Sequence, residues 1–144
     1  SMDIITHRRN LHRIPELQWN LPLTSAYVQD ALEKMKCRVF SPVGDAICAY
    51  FDFGAPETIA FRADMDALPI AEISEKDYIS RHPGKMHACG HDVHTTILLG
   101  VAKLCKDMGE ELPGTVKLFF QPAEETTATS LRGAHRLPHE YPRP

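Results

Sequence analysis

Residues 87–94 read His-Ala-Cys-Gly-His-Asp-Val-His, placing three His, one Cys and one Asp within eight positions of a chain with only 8 His in 144 residues. Thiolate and imidazole are the preferred protein ligands of Zn²⁺ and neighbouring divalent metals. Gly90 allows a bend that turns Cys89 and His91 toward one ion. A helix starting at this point would favour the thiolate through its N-terminal dipole. Two readings stand at this stage: a metal site, or a buried thiol among surface histidines. A Cys89 nucleophile with His91 or His94 as base is a weaker third. A structural zinc site would need a second Cys/His pair at matching spacing, and the sequence has none.

Two further groups carry carboxylates. Glu124-Glu125 follows an apolar run and Pro122, a position where one carboxylate can bind metal while its neighbour handles protons. Two adjacent glutamates on a loop are otherwise ordinary solvated charges. Asp64-Met65-Asp66 alternates carboxylates, either to orient metal ligands from behind or to close a turn with side chain–backbone bonds.

Elements that would position these groups follow from periodicity. A first helix is predicted over 3–13, with Asp3 as N-cap and Ile4, Ile5 and Leu11 on its apolar side. Pro15 stops it. A second helix is predicted over 24–36, from Tyr27, Val28, Ala31, Leu32 and Met35. Strands over 46–53 and 57–63, joined by Gly54-Ala55-Pro56, predict a hairpin. Residues 64–88 show no periodicity, and a loop of that length is usually functional. A third helix over 92–108 presents Val93, Ile97, Leu98, Val101, Leu104, Cys105 and Met108 as one face. After Pro113-Gly114, residues 115–120 form a buried strand. The order is that of an α/β protein, with the carboxylate groups where strands run out into loops. The tail over 126–144 has Pro138, Pro142 and Pro144 and no apolar period, and is predicted to be coil.

Composition excludes several classes. Hydrophobic residues make up 43% and charged residues 24%, so wholesale disorder is excluded. A net charge of −3 without a Lys/Arg block argues against nucleic acid as a partner. No apolar run reaches the roughly 18 residues of a membrane span, and residues 1–9 lack a signal-peptide core. The expected compartment is the cytoplasm, where Cys37, Cys48, Cys89 and Cys105 would be free thiols.

Read together, four motifs resemble the M20 metallopeptidase and amidohydrolase family, closest to its aminoacylase-like branch of hippurate, N-acetyl-amino-acid and auxin-conjugate hydrolases. They are His12-Arg13-Ile14-Pro15-Glu16-Leu17, the stretch from Arg62 to Pro69, the stretch from Met86 to His94, and the stretch from Phe119 to Glu125. The resemblance implies the N-terminal part of a zinc-peptidase-like α/β catalytic domain over 1–125, a mixed sheet flanked by helices, with the family's lid domain absent and a non-family tail over 126–144. It implies two divalent transition metals (Zn, Mn, Ni or Co) held in part by Cys89, His91 and Glu125. Glu124 matches the general base, and Asp66 the acidic residue that steadies the site. The implied substrate is a small N-acyl amino acid, cleaved at its amide bond by a metal-activated water. Two further His ligands of the family have no match here, since nothing around His135 and His139 resembles their setting. The expectation is a hydrolase by lineage whose site is incomplete in this chain, or a metal-binding fragment without turnover. An uncovered sheet edge at the 115–120 strand would then favour homo-oligomers.

Overall fold

A computed structural model describes residues 3–52, 54, 56–109 and 114–122. The first helix, α1 (Ile4–His12), is capped as expected, with the Asp3 carboxylate accepting from the Thr6 amide at 2.8 Å. Its apolar side is not as expected: Leu11 is buried, but Ile4 and Ile5 are mostly exposed. The second helix, α2 (Pro22–Lys34), starts two residues early, because Pro22 suits the first helical turn. Its N-cap, Leu21, has no side chain that can accept a hydrogen bond. Glu16 takes over that task from outside the helix. Its carboxylate accepts from the Thr24 amide and hydroxyl at 2.7 and 2.8 Å and from the Leu23 amide at 3.2 Å.

Four strands form one mixed sheet: β1 (Arg38–Phe40), β2 (Ile47–Phe51), β3 (Thr58–Asp64) and β4 (Thr115–Gln121), in spatial order β1-β2-β4-β3. Patterning did not reveal β1, which is only three residues long and half exposed. The predicted hairpin does not form. β4 lies between β2 and β3, antiparallel to β2 and parallel to β3. The turn at Gly54 therefore reverses the chain without pairing its flanking strands. The same insertion moves the open edge. β4 is central, and the edges are β1 and β3; on β3, Ile59 and Phe61 are about half exposed.

The third helix, α3 (His91–Met108), is the crossover between the parallel strands β3 and β4. Helices α2 and α3 meet the sheet, and α1 packs against α3. Leu11, Val28, Leu32, Leu98, Leu99 and Ala102 pack with Ile47, Ala49 and Phe51 of β2 and with Val116, Leu118 and Phe120 of β4. The buried stripe of α3 is Thr95, Leu98, Leu99, Ala102 and Cys105. Ile97 and Leu104, expected in the core, are more than half exposed. Apolar residues occur on several sides of α3, so periodicity could not select the side that meets the sheet. All four cysteines are free thiols, with Cys48 and Cys105 in the core and Cys89 exposed.

Candidate metal centre at the start of α3

Parallel pairing brings two chain segments out of the sheet together. The β3–β4 register ends with Asp64 opposite Gln121, and the Met65 amide donates to the Gln121 carbonyl at 2.8 Å. Beyond that hydrogen bond β3 continues into Met65 and Asp66, both fully buried. Helix α3 begins directly against them. The Thr95 hydroxyl donates to the Asp64 carbonyl at 3.2 Å.

Gly90 forms the bend predicted before α3. It sits in the left-handed region (φ +92°) as the helix N-cap, with Cys89 exposed before it and His91 buried after it. His91 Nδ1 donates to the Asp66 carbonyl at 2.8 Å and lies 3.2 Å from the Asp66 carboxylate. The hydrogen bond to the carboxylate raises the imidazole to about 9, against burial, which lowers it; the Asp66 carbonyl and the Asp64 charge add to the rise. With Nδ1 held this way, Nε2 is the nitrogen a metal would take, the usual carboxylate–histidine support of a metal ligand. Asp64 is half-buried, and burial raises its carboxyl despite Arg62 at 3.7 Å.

The structure thus brings Cys89, His91, Asp64 and Asp66 to one end of the sheet. Glu124 and Glu125 lie outside the described residues, as does the tail over 126–144. The donor chemistry of Cys89 and His91 fits a soft divalent metal. Among the described residues, however, no three His, Cys, Asp or Glu side chains converge closely enough to hold an ion.

Sequence reasoning missed a buried charged chain behind the site. Arg8 pairs with Asp92 at 3.0 Å, Asp92 with His12 Nδ1 at 2.8 Å, and His12 Nε2 with Glu72 at 3.0 Å. Burial would raise the Glu72 carboxyl, but hydrogen bonds from Ser74, His12 and the Ser80 amide outweigh it and hold it at about 2. These contacts tie the long 65–90 loop to α1 and to the first turn of α3. Because Glu72 ionises more readily in the folded state, its stabilisation is complete above its ordinary value of 4.5. It is lost as pH falls from there toward 2. Acid unfolding followed by circular dichroism should therefore show a steeper loss in this window for the native sequence than for Glu72→Gln; equal slopes would contradict the assignment.

His87 was also missed as an individual residue. Its ring is 5% exposed, neither nitrogen has a hydrogen-bond partner among the described residues, and burial lowers it to about 4. A neutral imidazole buried between Asp92, His12, His91 and Asp66 is a polar group that awaits a partner.

The sequence model of peptidase family M20/M25/M40 matches residues 60–141, which include every one of these site residues except those of α1. The chain belongs to the M20 family. Its matched stretch runs past residue 125, the boundary expected between family-like sequence and tail. Among curated M20 relatives, the IAA-amino acid hydrolase ILR1-like 5 of Arabidopsis thaliana is 52% identical over 119 residues, covering 82% of this chain and 27% of that protein. An uncharacterized hydrolase of Staphylococcus aureus is 43% identical over 140 residues, covering 95% of this chain and 36% of its own length. The Bacillus subtilis YXEP protein, described as a dinuclear metal binding peptidase from the M20 family, superposes with a TM-score of 0.82 at 39% identity. That match covers 90% of this chain and 36% of the other. The chain thus spans about a third or less of the length of these M20 relatives. Among the described residues no helix is long and apolar enough to cross a membrane.

Proposed function

We propose that this chain supplies one wall of a metal-dependent amidohydrolase site that cleaves the amide bond of N-acyl amino acids. The observation that carries the proposal is the in-register end of β3 and β4, Asp64 opposite Gln121, beside His91. Glu124 and Glu125 follow Gln121 by three and four residues, so covalent geometry keeps both within about 14 Å of it. The strand that leads to Glu124 and Glu125 therefore ends beside Asp64, where the Cys-Gly-His turn begins α3.

In this reading Cys89, His91 and Glu125 are metal ligands. A divalent metal, when bound, supplies a Lewis acid for the substrate carbonyl and acidifies the attacking water. Asp66 holds the His91 ring through Nδ1 and fixes which nitrogen faces outward. The α3 N-terminus favours the Cys89 thiolate over the thiol. Glu124 takes the proton from water as it attacks the carbonyl carbon and delivers it to the amine nitrogen as the C–N bond breaks.

The test is hydrolysis of N-acetyl and N-benzoyl amino acids by a chain in which residues 1–125 of this sequence replace the matching part of a longer M20 relative. Amino acid release should require added Mn²⁺, Zn²⁺ or Co²⁺ and should stop with chelator. Release that is indifferent to chelator, or absent for every N-acyl amino acid while the chimera folds and binds metal, would overturn the proposal.

A further inference from the structure

His91 is held from two sides. Its ring rests on Asp66. The chain on either side of Asp66 is pinned by two backbone hydrogen bonds of 2.8 Å, from the Met65 amide to the Gln121 carbonyl and from the Ala67 amide to the Glu16 carbonyl. The backbone of His91 opens α3, and that first turn is set by the next residue, Asp92. Gly90, the N-cap, has no side chain to serve the turn. The buried Asp92 carboxylate serves it from within, its Oδ1 accepting from the Val93 amide at 2.9 Å. The Thr96 hydroxyl donates to the Asp92 carbonyl at 2.8 Å.

What holds Asp92 lies outside the metal centre. Its Oδ2 is 2.8 Å from Nδ1 of the buried His12 ring. The other ring nitrogen, Nε2, lies 3.1 and 3.0 Å from the two oxygens of Glu72. Glu72 is anchored in turn by the Ser74 hydroxyl and by the Ser80 amide at 2.7 Å. The Tyr78 ring meets the imidazole edge-on, with 5.7 Å between centroids. The His12 ring therefore cannot turn away from Asp92 without also leaving Glu72, which would cost both buried carboxylates a partner. Arg8 reaches Asp92 as well, at 3.0 Å, but from a side chain that is partly exposed.

A buried ionic chain of this kind adds little stability over apolar packing of the same volume. Its distinct contribution is a fixed geometry, delivered here one residue away from His91.

We propose that His12 is a positioning residue for the metal centre. By holding the Asp92 carboxylate it sets the first turn of α3, and with it the angle at which His91 presents Nε2, while Glu72 fixes the ring from the far side. His12 acts through Asp92 and is not itself a ligand. The proposal rests on the reading of His91 as a metal ligand given above.

Substitution can separate the two ends of the ring. An asparagine amide nitrogen is bonded to Cγ, like Nδ1, and a glutamine amide nitrogen stands one atom further out, like Nε2. His12→Asn therefore keeps a donor for Asp92 and gives up Glu72, and His12→Gln does the reverse. Both lose the ring, so both lose its packing. The experiment compares the ¹⁵N-labelled 144-residue chain with these variants, first by the ring nitrogens of His91 without metal, then by titration with Co²⁺ alone; amide spectra report that each chain is folded. Without metal, His12→Gln should shift the His91 ring nitrogens and the amides of residues 90–93, and His12→Asn should leave them at their native positions. Co²⁺ affinity should fall about tenfold in His12→Gln, the low end for losing an outer partner of a ligand, and stay native in His12→Asn. A role confined to stability would move both variants alike, so identical His91 signals in the two overturn the proposal, as does a reversed order of Co²⁺ affinity. Should neither variant fold, Glu72→Gln, which has nearly the native shape, decides instead: shifted His91 ring nitrogens support the proposal and unchanged ones overturn it. Failure of the native chain to bind Co²⁺ would count against the metal reading alone, while the metal-free His91 signals would still decide the positioning role.

Discussion

Glu124→Gln, made in a longer M20 chain carrying residues 1–125 of this sequence, should lower turnover of N-acetyl amino acids by about 10²–10⁴-fold with metal content unchanged. Glutamine has nearly the shape of glutamate, but it cannot take a proton from water or return one to the leaving amine. Glu125→Gln in the same chain should behave differently, losing metal and activity together, because a neutral amide is a poor ligand for a divalent cation. Metal analysis beside kcat and KM separates the two. Reversed phenotypes would exchange the roles of the glutamates. Full activity in both variants would make them solvated charges on a loop.

The second large effect is expected at Cys89. Its thiol is exposed and stands at the left-handed Gly90, one residue before α3. Cys89→Ser should lower divalent-metal affinity by more than about 100-fold, beyond the 10–100-fold typical of losing an outer partner of a ligand. Asp66→Asn provides that comparison, because it leaves His91 in place and weakens only the contact behind it. Cobalt is a convenient probe, since a thiolate ligand gives a charge-transfer band that the serine variant must lack. Equal metal content in the native and Cys89→Ser chains would return Cys89 to the status of a surface thiol.

Much of this site was readable in the sequence because its parts are local. The Cys-Gly-His turn, the start of α3 within one residue, the Asp3 cap and the apolar strand before Gln121 each depend on neighbours a few positions away. The family match then covers three of the four motifs, all but the stretch from His12 to Leu17. Failures occurred where distant residues decide. β2 and β3 each carry the pattern of a hairpin strand, and only the intrusion of β4 separates them. The side of α3 that meets the sheet is chosen by β2, β3 and β4, not by the helix's own apolar residues. His12 was part of a recognised motif, yet its role needs Asp92 and Glu72, 80 and 60 positions along the chain. A histidine in a helix gives no sign that two carboxylates will enclose it.

The placing of β4 also sets an order of assembly. β2 and β3 are consecutive in the chain but stand one strand apart, and each has a row of backbone donors and acceptors facing the slot that β4 fills. Before residues 115–121 arrive, the easiest partner for either strand is the other, across the Gly54 turn. Hairpins close within microseconds, whereas pairing Thr58 with Thr115 or Ile47 with Phe120 must first close long loops. A hairpin that closed first would have to open before β4 could enter the sheet. Admission of β4 also carries Gln121 to Asp64, so the two strand ends beside His91 meet only when the sheet is complete.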